Sequence, residues 1–275
     1  MGAPPGIFAE LSRWRAKAEK RGKVTHFDSD IIPDWLNAEL MAAQETVGVE
    51  AFSFLKATDK ERRKRENELA LLIALALAAF GDDILDAIVG GEQPNYDPLG
   101  PALAAVLIPF LTRLAVEEAM TVSVEMGIVF DPAVLNREAL RWARDYGYDL
   151  IGGLTETTRG VVSEAMQAYV QNPEIGKDAL REMLQPAFGE VRANMIATTE
   201  TTRAYSEATN EYQRLLRRSG IQTRRIWQTR EDERVCEICG PLHNLPESEW
   251  AAQFPGGPPA HVNCRCELIL ESIHE

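Results

Sequence analysis

The chain has 275 residues, of which 45% are hydrophobic and 26% are charged, with a formal net charge of −13. These values describe a globular chain of one large or two modest domains, and they exclude collagen-like, disulfide-scaffold and fully disordered proteins. A sequence pI near 4.9 also excludes a protein whose whole surface binds nucleic acid, because neutralising phosphates requires a basic footprint. Any contact with DNA is therefore expected to be local.

The N-terminal segment predicts a basic arm. Residues 1–6 have no apolar run behind a basic start, so we expect no secretory signal there. Residues 7–21 place Trp14 in one apolar helical face, with basic residues elsewhere. We assign residues 1–24 to this arm, which is either a solvated helix packed through Trp14 or a docking arm for an acidic partner.

Residues 25–188 are predicted to form a mainly helical body. The pattern is helical from Pro33 to Gly90, and the glycine- and proline-rich residues 90–98 are predicted to form a loop. Apolar runs at Leu69–Phe80 and Pro101–Leu111 contain 12 and 11 residues. Both are shorter than the ~20 residues needed to span a bilayer, so we interpret them as buried helices and expect no membrane span.

The second half of this body is predicted to contain several separate helices. Asp131 followed by proline predicts the start of a helix that continues to Leu150. Another helix is predicted from about Thr157 to Val170, where an Asn-Pro pair ends it, and a short one covers residues 180–184. A proline-free stretch over residues 189–220 predicts a long helix, at which we place the domain boundary.

Residues 189–275 are predicted to form a small α+β domain. After the long helix the hydrophobic period changes from 3.6 to 2. Residues 221–229 predict one strand, and residues 264–270 predict a second strand that carries Cys264 and Cys266 on one face.

All four cysteines lie in the last forty residues, and two of the four histidines, His243 and His261, lie among them. They are arranged as Cys236-x2-Cys239-x3-His243 and, after seventeen intervening residues, His261-x2-Cys264-x-Cys266. In a reducing cytosol such a cluster binds metal more often than it forms disulfides. Because thiolates are soft ligands, zinc is the expected ion, and its expected role is to cross-link a module with few large apolar residues.

Six side chains compete for the four ligand positions of a tetrahedral zinc site. Our first choice is the four cysteines, Cys236, Cys239, Cys264 and Cys266. Alternation along the predicted second strand favours this set, since it points the last two cysteines to one side. The alternates for one cysteine are His261 and His243. A Cys236–Cys239 dithiol and unligated buried cysteines are the remaining interpretations.

Charge argues against a DNA-reading zinc finger. Between residues 235 and 275 six glutamates are opposed by a single arginine, Arg265. Just before this module lies a group of arginines that we call the arginine patch: Arg214, Arg217, Arg218, Arg224, Arg225, Arg230 and Arg234. These side chains either pair with neighbouring acids or form a contact patch for nucleic acid or an acidic partner.

Four motifs carry a resemblance to a known family. They are Arg192–Tyr205 (RANMIATTETTRAY), Trp227-Gln228-Thr229, Asp232–His243 with its Cys-x2-Cys, and Pro258–Cys266 (PPAHVNCRC). In order and spacing, from about Gly189 to Leu270, they resemble the Mu F-like head morphogenesis domain of phage minor head proteins. Within the first motif, Glu200 and Arg203 are three residues apart on one helix face, and we predict that they serve architecture rather than chemistry.

The resemblance implies a structural protein of tailed-phage heads or of a prophage, associated with the portal or major capsid protein. It implies a role in head assembly or DNA delivery, and a location in the virion head and, during assembly, the host cytoplasm. We predict a non-enzymatic protein without catalytic residues that contacts packaged DNA weakly, through the arginine patch. The alternative is a zinc-dependent nuclease or hydrolase, which a three-ligand site with an exchangeable water near Asp232 or Glu233 would support.

Overall fold

The computed structural model describes residues 59–128, 131–172, 174–230 and 232–273. The helical body contains α1 (Asp59–Gly90), α2 (Leu99–Glu125), α3 (Pro132–Gln171), α4 (Lys177–Phe188) and α5 (Glu190–Arg218). The C-terminal part contains β1 (Thr223–Gln228), a short 3-10 turn (Gly240–Leu242), α6 (Glu247–Trp250) and β2 (Glu267–Ser272). The predicted mainly helical body with a small C-terminal α+β part is confirmed. The basic arm, residues 1–24, and the predicted helix before Asp59 lie outside the described residues.

Helix α2 forms the centre of the helical body. Its leucines at 103, 107, 111 and 114 are fully buried between α1, α3 and α5. By length and composition α2 could cross a membrane, but 67% of its apolar window is buried inside the protein, as in the core helix of a bundle. The prediction that residues 69–80 and 101–111 form core helices agrees with α1 and α2.

Helix α3 begins as predicted but does not break where a break was predicted. The Asp131 side chain accepts a hydrogen bond from the Ala133 N–H at 2.8 Å, so it caps the helix. The predicted division into two helices is wrong, because α3 continues from Pro132 to Gln171 through two adjacent glycines at 152 and 153. The buried face runs across that point, from Ile151 to Val162, and its packing outweighs the ~1 kcal/mol by which each glycine disfavours a helix.

Helix α5 packs both on the helical body and on the C-terminal part. It contacts α1, α2 and β2, and Leu270 of β2 packs against the cluster that contains Tyr212 and Leu216 of its C-terminal half. Gly220, with φ of +81°, follows the helix end, which confirms the long helix predicted between Gly189 and Gly220. The domain boundary placed at residue 189 stays a prediction.

The two strands form an antiparallel pair in which Thr223 faces Ser272 and Gln228 faces Glu267. The prediction that the second strand begins at Cys264 is wrong by three residues. After Gln228 the first strand ends, and the Thr229 N–H donates to the His243 ring instead, at 3.2 Å. No partner strand therefore remains for the residues before Glu267, and Cys264 and Cys266 lie in a loop.

Candidate metal centre

The first pair of cysteines lies on a tight turn between β1 and the 3-10 turn. The Cys239 N–H donates to the Cys236 sulfur at 3.4 Å, and the Gly240 N–H donates to the Cys236 carbonyl at 2.9 Å. Backbone N–H groups directed at a sulfur stabilise its thiolate form, as in metal-binding knuckles. The Cys-x2-Cys spacing thus produces the local geometry that was expected of it.

The second loop is held against α5 by two threonines of the RANMIATTETTRAY motif. The Asn263 N–H donates to the Thr199 hydroxyl at 2.9 Å, and the Thr202 hydroxyl donates to the Cys264 carbonyl at 2.5 Å. These threonines are three residues apart, so they share one face of the helix. Asn263 has a φ of +63°, which turns the chain and directs Cys264 inward.

The Thr202 hydroxyl also connects this loop to α1. The Arg62 guanidinium hydrogen-bonds to Thr202 and donates to Glu66 at 3.0 Å. Arg62 is 2% exposed and lies over the Tyr205 ring at 5.5 Å. Sequence reasoning missed Arg62 and both threonines, and the only available signal was the run of threonines in the motif.

The two loops bring five donor side chains together around Cys239. Its sulfur lies 3.8 Å from the Cys264 sulfur and 3.3 Å from the His261 Nε2, which is itself 3.1 Å from the Cys236 sulfur. Two overlapping groups result, one of Cys236, Cys239 and His261 and one of Cys239, Cys264 and Cys266, each with ligand atoms within 4.8 Å of one another. Tetrahedral zinc with Zn–S bonds of ~2.3 Å places its sulfurs about 3.8 Å apart, so the donor set fits zinc.

Most of the centre is enclosed by protein. Cys239, Cys264 and Cys266 are at most 5% exposed, and they pack with Trp227 and Trp250 in one apolar cluster. Cys236 and His261 are half-buried. The centre therefore has a dry side formed by three thiols and a side that borders solvent.

The buried thiols differ in their tendency to ionise. The Cys239 thiol donates to Cys264, which lowers the pKa of Cys264 to about 2 and raises the pKa of Cys239 well above its usual range. The Cys239 thiol also lowers the pKa of Cys266, but Cys264 and burial raise it, so that it lies near 12. The protein alone thus favours one thiolate, at Cys264, and a divalent cation is the partner that would favour ionisation of the others.

The six predicted ligands are not all in one place. The four cysteines and His261 contribute to the two donor groups, which share Cys239. His243 lies apart from both groups, because its Nδ1 accepts from the Thr229 N–H and hydroxyl at the end of β1. The choice of Cys236, Cys239, Cys264 and Cys266 over a set that includes His261 stays a prediction.

Glu200 and Arg203 lie on the side of α5 that faces α3. The Glu200 carboxylate is 4% exposed, 3.4 Å from the Arg203 Nε, and accepts a hydrogen bond from the Tyr146 hydroxyl at 2.7 Å. Burial raises the pKa of Glu200, although both partners oppose that shift. Tyr146 was not foreseen from the sequence, since it is 54 residues away in the chain.

The arginine patch is largely engaged in internal ion pairs. Five of its seven members have acidic partners: Arg214 with Glu207 and Glu211, Arg217 and Arg225 with Glu247, Arg224 with Glu271, and Arg230 with Glu267. Glu247 joins the end of α5 to β1 through two of these arginines, at 2.7 and 2.6 Å. Much of the positive charge of the patch is therefore balanced within the C-terminal part.

Residues 159–269 match a family model described as Phage Mu protein F like protein. The matched segment begins within α3, includes all of α4 and α5, and ends in β2 after the last cysteine. Comparison with curated proteins and with solved structures gives no match.

Proposed function

We propose, because residues 159–269 match the Phage Mu protein F like family, that the chain is a minor head protein of a tailed phage or prophage. Membership of this family implies a role in phage head morphogenesis. The finer parts of the proposal are association with the portal or major capsid protein and presence in the virion head. The observation that carries the proposal is that the matched segment contains both the α5 motif and the whole cysteine cluster that the motif holds in place.

A structural zinc ion is part of this proposal. Cys239 would hold it together with members of both donor groups, Cys236 and His261 on one side and Cys264 and Cys266 on the other. The ion would cross-link the two loops, which only short elements support. Hydrogen bonds with Thr199 and Thr202 would then fix the cross-linked loops to α5, which packs on the rest of the helical body.

The surroundings of the centre favour a structural role over the alternative of a zinc-dependent nuclease or hydrolase. Asp232 is one of the two general-base candidates named from the sequence, and both its carboxylate oxygens accept from the Arg265 guanidinium, at 2.8 and 2.6 Å. These hydrogen bonds lower the pKa of Asp232, which makes it a weaker base. Glu200 is occupied by Tyr146 and Arg203, on the side of α5 that faces α3.

Recruitment by protein contacts is favoured over recruitment by DNA. A net charge of −13 repels a polyanion, and the arginine patch that could compensate is mostly paired. Exposed aliphatic side chains at Ile238 and Val262 lie beside the centre, where they could contribute to a protein contact. Weak, salt-sensitive DNA binding is therefore expected, with portal or capsid proteins as the main partners.

Deletion and complementation of the gene in its phage or prophage test the proposal. We expect the deletion to reduce the yield of filled heads, seen by electron microscopy, and the tagged chain to copurify with heads. Complementation with Cys239→Ser is expected to fail, whereas Glu164→Gln, an exposed change on α3, should restore head formation. Normal heads without the gene, together with its absence from purified heads, would refute the assignment.

Coexpression with the portal protein of the same phage tests the partner. We expect the tagged full chain to capture the portal protein, and removal of residues 1–24 to show whether the basic arm contributes. Sub-micromolar, salt-sensitive binding to DNA with no capture of the portal protein would overturn the proposed mode of recruitment and favour the arginine patch.

A further inference from the structure

Trp227 is one of two fully buried tryptophans in the C-terminal part, and its indole N–H lacks a partner. The residue is 0% exposed and packs edge-on against Trp250, with ring centroids 5.5 Å apart. Within the described part of the chain, its Nε1 has no hydrogen-bond partner. Buried indole N–H groups usually have an acceptor, so this one requires an explanation.

The acceptors that surround the Trp227 indole are thiol sulfurs, because Trp227 packs in one buried cluster with Cys239, Cys264 and Cys266. Of these three, Cys266 is the nearest in register, since Trp227 faces Leu268 across the sheet. A neutral thiol is a weak acceptor, whereas a thiolate is a charged one that forms shorter and stronger hydrogen bonds. The indole is therefore placed to bind Cys266 in its ionised, metal-ligating form.

The fold holds Trp227 in this position. Its backbone N–H donates to the Leu245 carbonyl at 3.0 Å, and its carbonyl accepts from the Asn244 N–H at 2.8 Å. In the sheet it faces Leu268, two residues after Cys266. Because backbone contacts hold Trp227 on both sides, its ring has little freedom to reach another acceptor.

Cys236 shows what kind of donor is needed. Its sulfur receives the backbone N–H of Cys239 at 3.4 Å. N–H groups directed at coordinating sulfurs orient them and tune the metal. The indole of Trp227 is a side-chain N–H that lies in the same cluster as the buried sulfurs and has no acceptor of its own.

We propose that Trp227 is the positioning residue for the metal centre, with its indole N–H hydrogen-bonded to a metal-bound thiolate of Cys266. This inference rests on the proposed zinc ion. It extends that proposal by making Cys266 one of the zinc ligands and not merely a buried cysteine nearby. It also explains the tryptophan of the Trp227-Gln228-Thr229 motif, because phenylalanine would supply a buried aromatic ring but no N–H.

The protein offers a matched control for the removal of this N–H. Trp250 is equally buried, at 1% exposed, and packs in the same cluster, but its indole donates to the Leu245 carbonyl at 3.0 Å. Trp227→Phe and Trp250→Phe therefore remove the same atoms from the same core. Only the first removes a donor to a sulfur.

The test measures metal binding by the full chain, with Zn²⁺ in competition with a chromophoric chelator and with Co²⁺ absorption as a probe of thiolate ligation. Trp227→Phe is expected to weaken Zn²⁺ binding by about 10- to 100-fold and to shift the thiolate-to-cobalt charge-transfer band. Trp250→Phe should leave affinity within about twofold and the spectrum unchanged. Cys266→Ser should lose at least as much affinity as Trp227→Phe, with reduced charge-transfer intensity.

Two outcomes would overturn the inference. If Trp227→Phe binds Zn²⁺ and Co²⁺ as Trp250→Phe does, Trp227 is only a core residue and the zinc centre stands without it. If the unmodified chain binds no Zn²⁺, the zinc centre and the role of Trp227 both fail, while the head-assembly assay still decides the proposed function.

The unmodified protein provides a second measurement in case Trp227→Phe does not fold. In chain loaded with ¹¹³Cd, a scalar coupling between the Trp227 indole proton and the metal is expected, because the hydrogen bond connects them through the Cys266 sulfur. Coupling to backbone protons alone, with none to the indole proton, would contradict the proposal.

Discussion

The buried carboxylate of Glu200 makes Tyr146→Phe a sensitive test of how α5 is held against α3. Glu200 is 4% exposed, and the Tyr146 hydroxyl donates to it at 2.7 Å. Phenylalanine would keep the ring, which stacks on Trp142 and lies under the Arg203 guanidinium at 5.0 Å. The substitution therefore removes one hydroxyl and little packing.

The expected loss follows from the charge of the acceptor. A hydrogen bond to a charged group contributes ~1.5–3 kcal/mol, so we expect the free energy of unfolding to fall by about 2 kcal/mol at pH 7. Burial raises the pKa of Glu200 in the folded protein, so its contribution to stability is fully present at low pH and declines as the pH rises through that pKa. Without the Tyr146 hydroxyl the pKa rises further. The loss relative to the parent should therefore be largest at neutral pH and smaller near pH 4.

Urea unfolding followed by circular dichroism at both pH values measures these losses. Tyr169→Phe is a suitable control on the same helix, because its hydroxyl forms no hydrogen bond recorded among the described residues, and we expect it to change stability by less than about 0.5 kcal/mol. A loss at Tyr146 as small as that of the control, or one that is equal at both pH values, would refute the reasoning.

Three further substitutions test other parts of the structure. Cys239→Ser should abolish zinc binding while Cys236→Ser retains part of it, because Cys239 belongs to both donor groups; elemental analysis of purified chain measures this. Gly152→Ala should stabilise the protein by about 0.5–1 kcal/mol in thermal unfolding, since this exposed helical glycine has no atom within 4 Å of an added Cβ. Arg192→Met should destabilise it by about 2–4 kcal/mol in urea, because the buried guanidinium donates to the Thr158 hydroxyl and to backbone carbonyls of α3 and α4.

For each of these three substitutions, one result would contradict the expectation. Equal zinc content in both cysteine variants would show that Cys239 is not shared. Destabilisation by Gly152→Ala would contradict the open space beside α3. A loss below about 1 kcal/mol for Arg192→Met would mean that water replaces the guanidinium, so that the three helix elements do not depend on it.

Local signals were sufficient for much of the fold. Asp131 before a proline predicted the start of α3, and Gly220 predicted the end of α5, since capping depends on residues adjacent in the chain. The change of hydrophobic period after Gly220 predicted β1, because this signal also lies in residues that are adjacent in the chain. The Cys-x2-Cys turn and the family motifs are likewise readable from spacing, and the family-model match over residues 159–269 supports the resemblance in that segment.

Features that depend on distant partners could not be predicted in this way. The start of β2 is decided by where β1 ends, and the continuity of α3 is decided by packing that continues past Gly152 and Gly153. Such contacts join parts of the chain whose separation is not encoded in any local pattern.

The candidate metal centre likewise combines features that the sequence predicts with features that depend on distant contacts. The sequence alone determined that four cysteines and two histidines could supply a soft-metal site, because residue type sets ligand chemistry. Only the tertiary structure decided that His261 joins the cluster while His243 caps the end of β1. It also decided that Thr202 holds the Cys264 carbonyl from 62 residues away, because folding, not spacing, brings α5 against the cysteine loop.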